Sequence, residues 1–125
     1  LPSEAVMRSL SVGIDSIEID RIAKSIEREG FMERVYSAKE IAMFKERGMR
    51  TETIAANFAV KEAFSKALGT GVAGFSLNEV STLRDEKGAP YIELSGAAYE
   101  LAKDLSLSVS ITHTRTHATA IVIAY

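Results

Sequence analysis

The stretch Phe58-Ala59-Val60-Lys61-Glu62-Ala63-Phe64-Ser65-Lys66-Ala67-Leu68-Gly69-Thr70-Gly71 sets charges inside an otherwise apolar run. Read as a helix, it is apolar on nearly every side, with Ile54, Ala55, Phe58, Ala59, Val60, Ala63, Phe64, Ala67 and Leu68, and such a helix is a buried one. Charge inside a buried helix is costly unless it is paired or bound to something. Glu62 follows Ala55, Phe58 and Ala59 at helical spacing, and Lys66 stacks one turn further on. Two chemistries fit this spacing. One is an i,i+4 ion pair, which stabilises a helix by roughly 0.2–0.5 kcal/mol. The other is a carboxylate that holds a metal ion beside a lysine that holds phosphate.

The glycines that follow admit two readings as well. Gly69-Thr70-Gly71 lets the backbone pass close to a ligand, and its amides could meet a phosphate. It also suits a helix stop and a turn. Asp15 follows Val12-Gly13-Ile14. At the end of a strand and beside a glycine it can reach a metal, or it can cap the next helix. Glu18 is a second candidate ligand or a solvated first-turn acid. In Ser110-Ile111-Thr112-His113-Thr114-Arg115, alternation sets His113 on the side opposite the threonines, as a structural or a catalytic histidine. Arg21, Lys24 and Arg28 form an early basic stretch, either a solvated face or a docking surface for an acidic partner.

The elements that must position these groups follow from periodicity. Val12 to Asp15 reads as the end of a first strand. Ile19, Ile22, Ala23 and Ile26 predict a helix that ends at Gly30. Ser37-Ala38-Lys39-Glu40 has the form of a capping box opening a second helix, which Gly48 stops. Thr51 or Thr53 is the expected cap of the third helix, which runs to about Leu68. Val80 to Arg84 and Tyr91 to Leu94 flank the turn Asp85-Glu86-Lys87-Gly88. Ser95 is the expected cap of a helix through Leu105. Leu107, Val109 and Ile111 alternate as a strand, and Ala118 to Ala124 reads as a buried last strand. The fold class is α+β, with helices on a largely antiparallel sheet.

Composition narrows the function. The 125 residues suit a single domain spanning 1–125. The 46% hydrophobic content is ordinary for a folded protein. With no cysteine there is no disulfide, thiolate zinc site or cysteine nucleophile. With only two histidines, His113 and His117, a metal here is expected to be a hard cation on carboxylates. A net charge of −2 gives no general field for nucleic acid. No apolar run reaches the length of a membrane span, and Leu1 to Leu10 do not read as a secretory signal. The expectation is a cytoplasmic protein with neither a nucleic-acid nor a membrane partner.

Taken together, three motifs resemble the 4'-phosphopantetheinyl transferase superfamily, in its short single-domain branch of holo-acyl-carrier-protein synthases. They are Gly13-Ile14-Asp15, the run from Val60 to Ala67 with Gly69-Thr70-Gly71, and Ser110-Ile111-Thr112-His113-Thr114. The resemblance implies magnesium held by Asp15 and Glu62, with Lys66 at the phosphates of coenzyme A and assisting catalysis. It implies that Ser65, Gly69, Thr70, Gly71 and His113 help to hold coenzyme A. Arg21 and Arg28 would receive an acidic acyl carrier protein. The implied reaction moves the phosphopantetheine arm of coenzyme A onto a carrier serine, with Glu62 or a water on the metal taking the proton, and serves fatty acid biosynthesis. A homotrimer with sites at the subunit boundaries is implied as well. Many relatives carry arginine where this chain has Asn57, a departure that implies one phosphate contact fewer.

Overall fold

A computed structural model describes residues 10–125. The stretch before Leu10, read above as free of a secretory signal, lies outside the described residues. The elements run β1 (Ser11–Glu18), α1 (Ile19–Ile26), α2 (Phe31–Val35), α3 (Ala38–Glu46), α4 (Thr51–Leu68), a 3-10 turn at Leu77–Glu79, β2 (Val80–Arg84), β3 (Pro90–Leu94), α5 (Gly96–Ala102), β4 (Leu107–His113) and β5 (His117–Ala124). All pairing is antiparallel: β1-β5-β4 form one sheet and the β2–β3 hairpin a second. The chain is α+β, as its periodicity predicts, with its strands divided between two sheets. No helix among the described residues is long and apolar enough to cross a membrane.

Several boundaries differ from the sequence expectation for identifiable reasons. Strand β1 continues through Glu18, because its whole length pairs with β5. Asp15 therefore sits in mid-strand and caps nothing. Helix α1 stops at Ile26, and Gly30, at φ 80°, opens the short α2, which the spacing did not suggest. Arg50 occupies the N-cap of α4 in place of Thr51 or Thr53. Ser95 stands at the N-cap of α5 without a side-chain bond. The amides of Ala97 and Ala98 donate instead to the Glu79 carboxylate, at 3.2 and 3.3 Å. A bond from the Ser76 amide first, and then these two, hold the Glu79 carboxyl below its ordinary range. The Ser37–Glu40 capping box forms as expected.

Helix α4 is the axis of the core. Ile54, Ala55, Ala56, Ala59, Val60, Ala63, Phe64 and Ala67 are all buried along it. The sheet face beneath it is built of small residues, with Ala118, Ala120, Val122 and Ala124 of β5 buried and Gly13 beside Val122. Small side chains on both surfaces let helix and strand come close. A Cβ at Gly13 would fall 1.8 Å from the Ala63 carbonyl oxygen and 2.6 Å from the Ala67 nitrogen, both backbone atoms that cannot rotate away. Gly13→Ala is therefore expected to push β1 off α4, at a cost of about 1–3 kcal/mol or more. A urea melt with an unchanged midpoint would contradict this close approach.

Among the described residues, none covers the opposite face of the same sheet. Val12 and Ile14 are 52% and 57% exposed. Register sets Ile123 and Ile121 beside them, and both are only half-buried. The last strand is thus buried on one face, not on both.

Candidate functional site at the β1–α4 edge

Close packing of β1 on α4 decides where the charged groups meet. Alternation along β1 turns Ser11, Gly13, Asp15 and Ile17 toward the helix. Lys66, in the last turn of α4, donates to Asp15 Oδ1 at 3.1 Å and to the Ile14 carbonyl at 2.9 Å. The i,i+4 Glu62–Lys66 ion pair, one of the two readings of the spacing, gives way to this contact between elements. Lys66 remains about half-exposed and Asp15 is mostly covered, with side-chain exposures of 53% and 18%.

Glu62 lies one turn before Lys66 on α4. Its carboxyl is held above the ordinary range, first by partial burial and second by the negative charge of Asp15, while Lys66 and Arg21 oppose the shift. These mutual influences make Asp15, Glu62, Lys66 and Arg21 one electrostatic cluster. The two acids expected to act together do share a site.

Residues that could hold a metal are few. Among the described residues, no group of three or more His, Cys, Asp or Glu side chains converges. An all-protein cage of the calcium type does not form there. Two neighbouring carboxylates fit magnesium, which usually takes one or two carboxylates plus substrate phosphates and water. Glu18 is exposed on the sheet face opposite Asp15 by strand alternation, so it does not join them.

The other predicted residues are placed as follows. Gly69, at φ 74°, ends α4, and its amide donates to the Lys66 carbonyl at 3.0 Å. Gly69 and Gly71 face open space where a Cβ would stand, and Thr70 is exposed between them. This leaves a bare backbone edge beside Lys66. Ser65 is 2% exposed, and its hydroxyl donates to the Glu62 carbonyl at 2.7 Å, so it is turned inward. His113 is exposed at the end of β4 and, as alternation predicts, on the face opposite Thr112. With Ile19, Glu52, Thr114 and Arg115 it lines an open cavity of about 500 Å³. It shares the helix-facing side with Asp15 but lies two strands across and two residues along, about 12 Å away by ordinary strand spacings. A single chain does not bring His113 to the acid pair. Arg21 is on α1 near Glu62, whereas Arg28 falls in the turn after α1 ends, so the two do not continue one helical face.

The sequence reading missed a buried polar hub next to this site. Glu40, Asn57 and Lys61 are all 0% exposed. Lys61 Nζ donates to Glu40 Oε1 at 2.6 Å, to the Leu77 carbonyl at 3.1 Å and to the Val80 carbonyl. Asn57 Nδ2 donates to Glu40 Oε2 at 2.8 Å and to the Thr82 carbonyl at 2.9 Å. Asn57 therefore faces the interior of the subunit and not the surface that a phosphate would meet. The signal was present in a lysine within an apolar helix, which needed a buried counter-charge.

Comparison with known proteins places the chain in a family. A family model described as the 4'-phosphopantetheinyl transferase superfamily matches residues 11–122. The chain is 42% identical to a holo-[acyl-carrier-protein] synthase of Fusobacterium nucleatum over 118 residues, covering 91% of this chain and 97% of the relative. It is 44% identical to the Clostridium beijerinckii holo-[acyl-carrier-protein] synthase over 114 residues, covering 89% and 93%. Among solved structures it is similar to the Helicobacter pylori holo-[acyl-carrier-protein] synthase in complex with coenzyme A. That match has TM-score 0.80 and 36% identity, covering 91% of this chain and 99% of the other. The paired acids, the lysine that bridges α4 to β1 and the bare glycine edge thus stand in a chain that belongs to the 4'-phosphopantetheinyl transferase superfamily, in its holo-[acyl-carrier-protein] synthase branch.

Proposed function

We propose that this chain moves 4'-phosphopantetheine from coenzyme A to a serine of an apo-acyl carrier protein, depends on magnesium, and serves fatty acid biosynthesis in the cytoplasm. The observation that carries the reading is the cluster of Asp15, Glu62 and Lys66 at one edge of the subunit. In the reaction the serine oxygen bonds to the phosphorus that carries the pantetheine arm. The bond from that phosphorus to the bridging oxygen breaks, and adenosine 3',5'-bisphosphate leaves.

Asp15 and Glu62 are the residues that would hold magnesium, which neutralises pyrophosphate charge when bound. Lys66 sets an ammonium where the leaving phosphate gains negative charge. Glu62, whose carboxyl is held above the ordinary range by burial and by Asp15, or a water would take the serine proton. Gly69 to Gly71 let phosphate oxygens approach the backbone beside Lys66. Arg21, next to Glu62, presents positive charge to an acidic carrier docking across α1, and Arg28 extends that charge beyond the helix.

The reading predicts release of adenosine 3',5'-bisphosphate only when coenzyme A, apo-carrier and a divalent cation are all present, and its loss on chelation. Chromatography of the nucleotide products checks it. Binding of coenzyme A without release would favour a non-catalytic coenzyme-binding module.

We also propose a homotrimer with sites at the subunit boundaries. Support comes from the apolar face of Val12, Ile14, Ile121 and Ile123, exposed or half-buried among the described residues, and from the separation of His113 from the acid pair within one chain. A partner's His113 edge would approach this chain's acid pair. Light scattering is expected to give roughly three times the 13.6 kDa chain mass. A catalytically competent monomer would contradict this assembly.

A further inference from the structure

We infer that the buried Glu40–Lys61 ion pair is a positioning device for Glu62, so that Lys61 and Glu40 act in the reaction through the orientation of α4. The inference rests on the reading of Asp15 and Glu62 as a divalent-cation pair.

The geometry begins with the rotation of a helix. Asn57 and Lys61 are one turn apart and lie on one stripe of α4. Both are tied to the same carboxylate, Asn57 at Glu40 Oε2 and Lys61 at Glu40 Oε1. Two attachments on one stripe fix the azimuth of the helix as well as its depth. Glu62 is the next residue, about 100° further round. Lys66 stacks on the Glu62 side and closes onto β1 through Ile14 and Asp15. The hub thus holds one side of α4 while the site forms on another.

The hub also reaches beyond α4. The other Glu40 contacts are the Ser37 amide at 3.0 Å and the Thr82 amide at 3.2 Å. Lys61 adds the carbonyls of Leu77 and Val80, and the Tyr36 ring lies 5.2 Å from its nitrogen. Helices α3 and α4, the 3-10 turn and β2 therefore meet at one charged point. An apolar contact could supply comparable stability, since replacing both members of a buried ion pair is often neutral. What the apolar contact would not supply is a directional lock on rotation.

The test separates orientation from stability. In Glu40→Gln with Lys61→Met, the charge is removed while shape is largely kept. Binding of Mn2+ in the presence of coenzyme A, read by electron paramagnetic resonance, is expected to weaken tenfold or more in this folded double variant. Transfer kcat should fall while the KM for carrier protein stays near wild type. Ala98→Gly, on α5 and a member of neither the hub nor the acid pair, should lower the melting temperature without changing Mn2+ affinity. Wild-type Mn2+ affinity in the folded double variant would overturn the inference. If the double variant does not fold, Asn57→Leu, which keeps the ion pair and removes the second attachment of α4 to Glu40, is judged by the same titration and the same criterion. A wild-type protein that binds no Mn2+ with coenzyme A present would first overturn the reading of Asp15 and Glu62, and this inference with it.

Discussion

Replacing Glu62 by Gln is expected to lower phosphopantetheine transfer by about 10²–10⁴-fold while leaving the fold intact. The amide keeps the volume of the carboxylate but removes the charge that the proposed cation needs and the group that takes the proton. Stability should move the other way. Burial and Asp15 raise the Glu62 carboxyl above its ordinary value in the folded chain. The native state therefore holds a proton that the unfolded state has lost, and stability falls as pH rises through that window. Above the raised value, the ionised carboxylate opposes folding. Glu62→Gln is thus expected to melt at or above the wild-type temperature at neutral pH. Wild-type turnover in a well-folded variant would remove Glu62 from the chemistry. A large loss of stability would show that the carboxylate is a structural partner and not a strained functional group.

The largest effect on stability is expected at Glu40→Ala. Lys61 would be left with two carbonyl contacts and an aromatic face, and no negative charge, in a site that is 0% exposed. Burial already pushes its ammonium below the ordinary lysine range, against the pull of Glu40. Removing one partner of a buried pair costs about 3–5 kcal/mol. For a chain of this size that is a fall in melting temperature on the order of 15 °C, and a large part of the margin of a typical domain. The orphaned amides of Thr82 and Ser37 add to the loss. A calorimetric shift of only a few degrees would mean that the hub is dispensable to the fold.

What the sequence showed and what it hid follow from the range of each interaction. Local signals carried over well. The Ser37 capping box, the Asp85–Gly88 turn and the apolar encirclement of α4 depend on residues a few places apart, and all are found in the structure. The meeting of Asp15 with Glu62 was implied by the family resemblance; in the structure the two carboxylates influence each other, while the direct contact of Asp15 is with Lys66. Capping of α5 by Glu79 could not be read, because the carboxylate arrives from eighteen residues upstream of the amide of Ala97. The role of Glu40 was half visible. Its short-range bond to the Ser37 amide was legible, whereas its contacts with Asn57, Lys61 and Thr82 span seventeen to forty-two residues. Ser65 was assigned to the coenzyme through the family resemblance, and in the structure it turns back on its own helix. Serine in a helix often bonds a carbonyl one turn earlier, a local option that competes with any ligand.

The close approach of β1 to α4 joins these observations. Gly13 allows the strand to lie against Ala63 and Ala67, and this contact brings Asp15 within reach of Lys66. The glycine two residues before the acid is thus a packing requirement of the site.

The most direct test of the account is the intact mass of an apo-acyl carrier protein after incubation with this protein, coenzyme A and magnesium. The account predicts a gain of one phosphopantetheine on the carrier serine, absent when the cation is chelated. An unmodified carrier, under conditions where an active transferase modifies the same preparation, would contradict it.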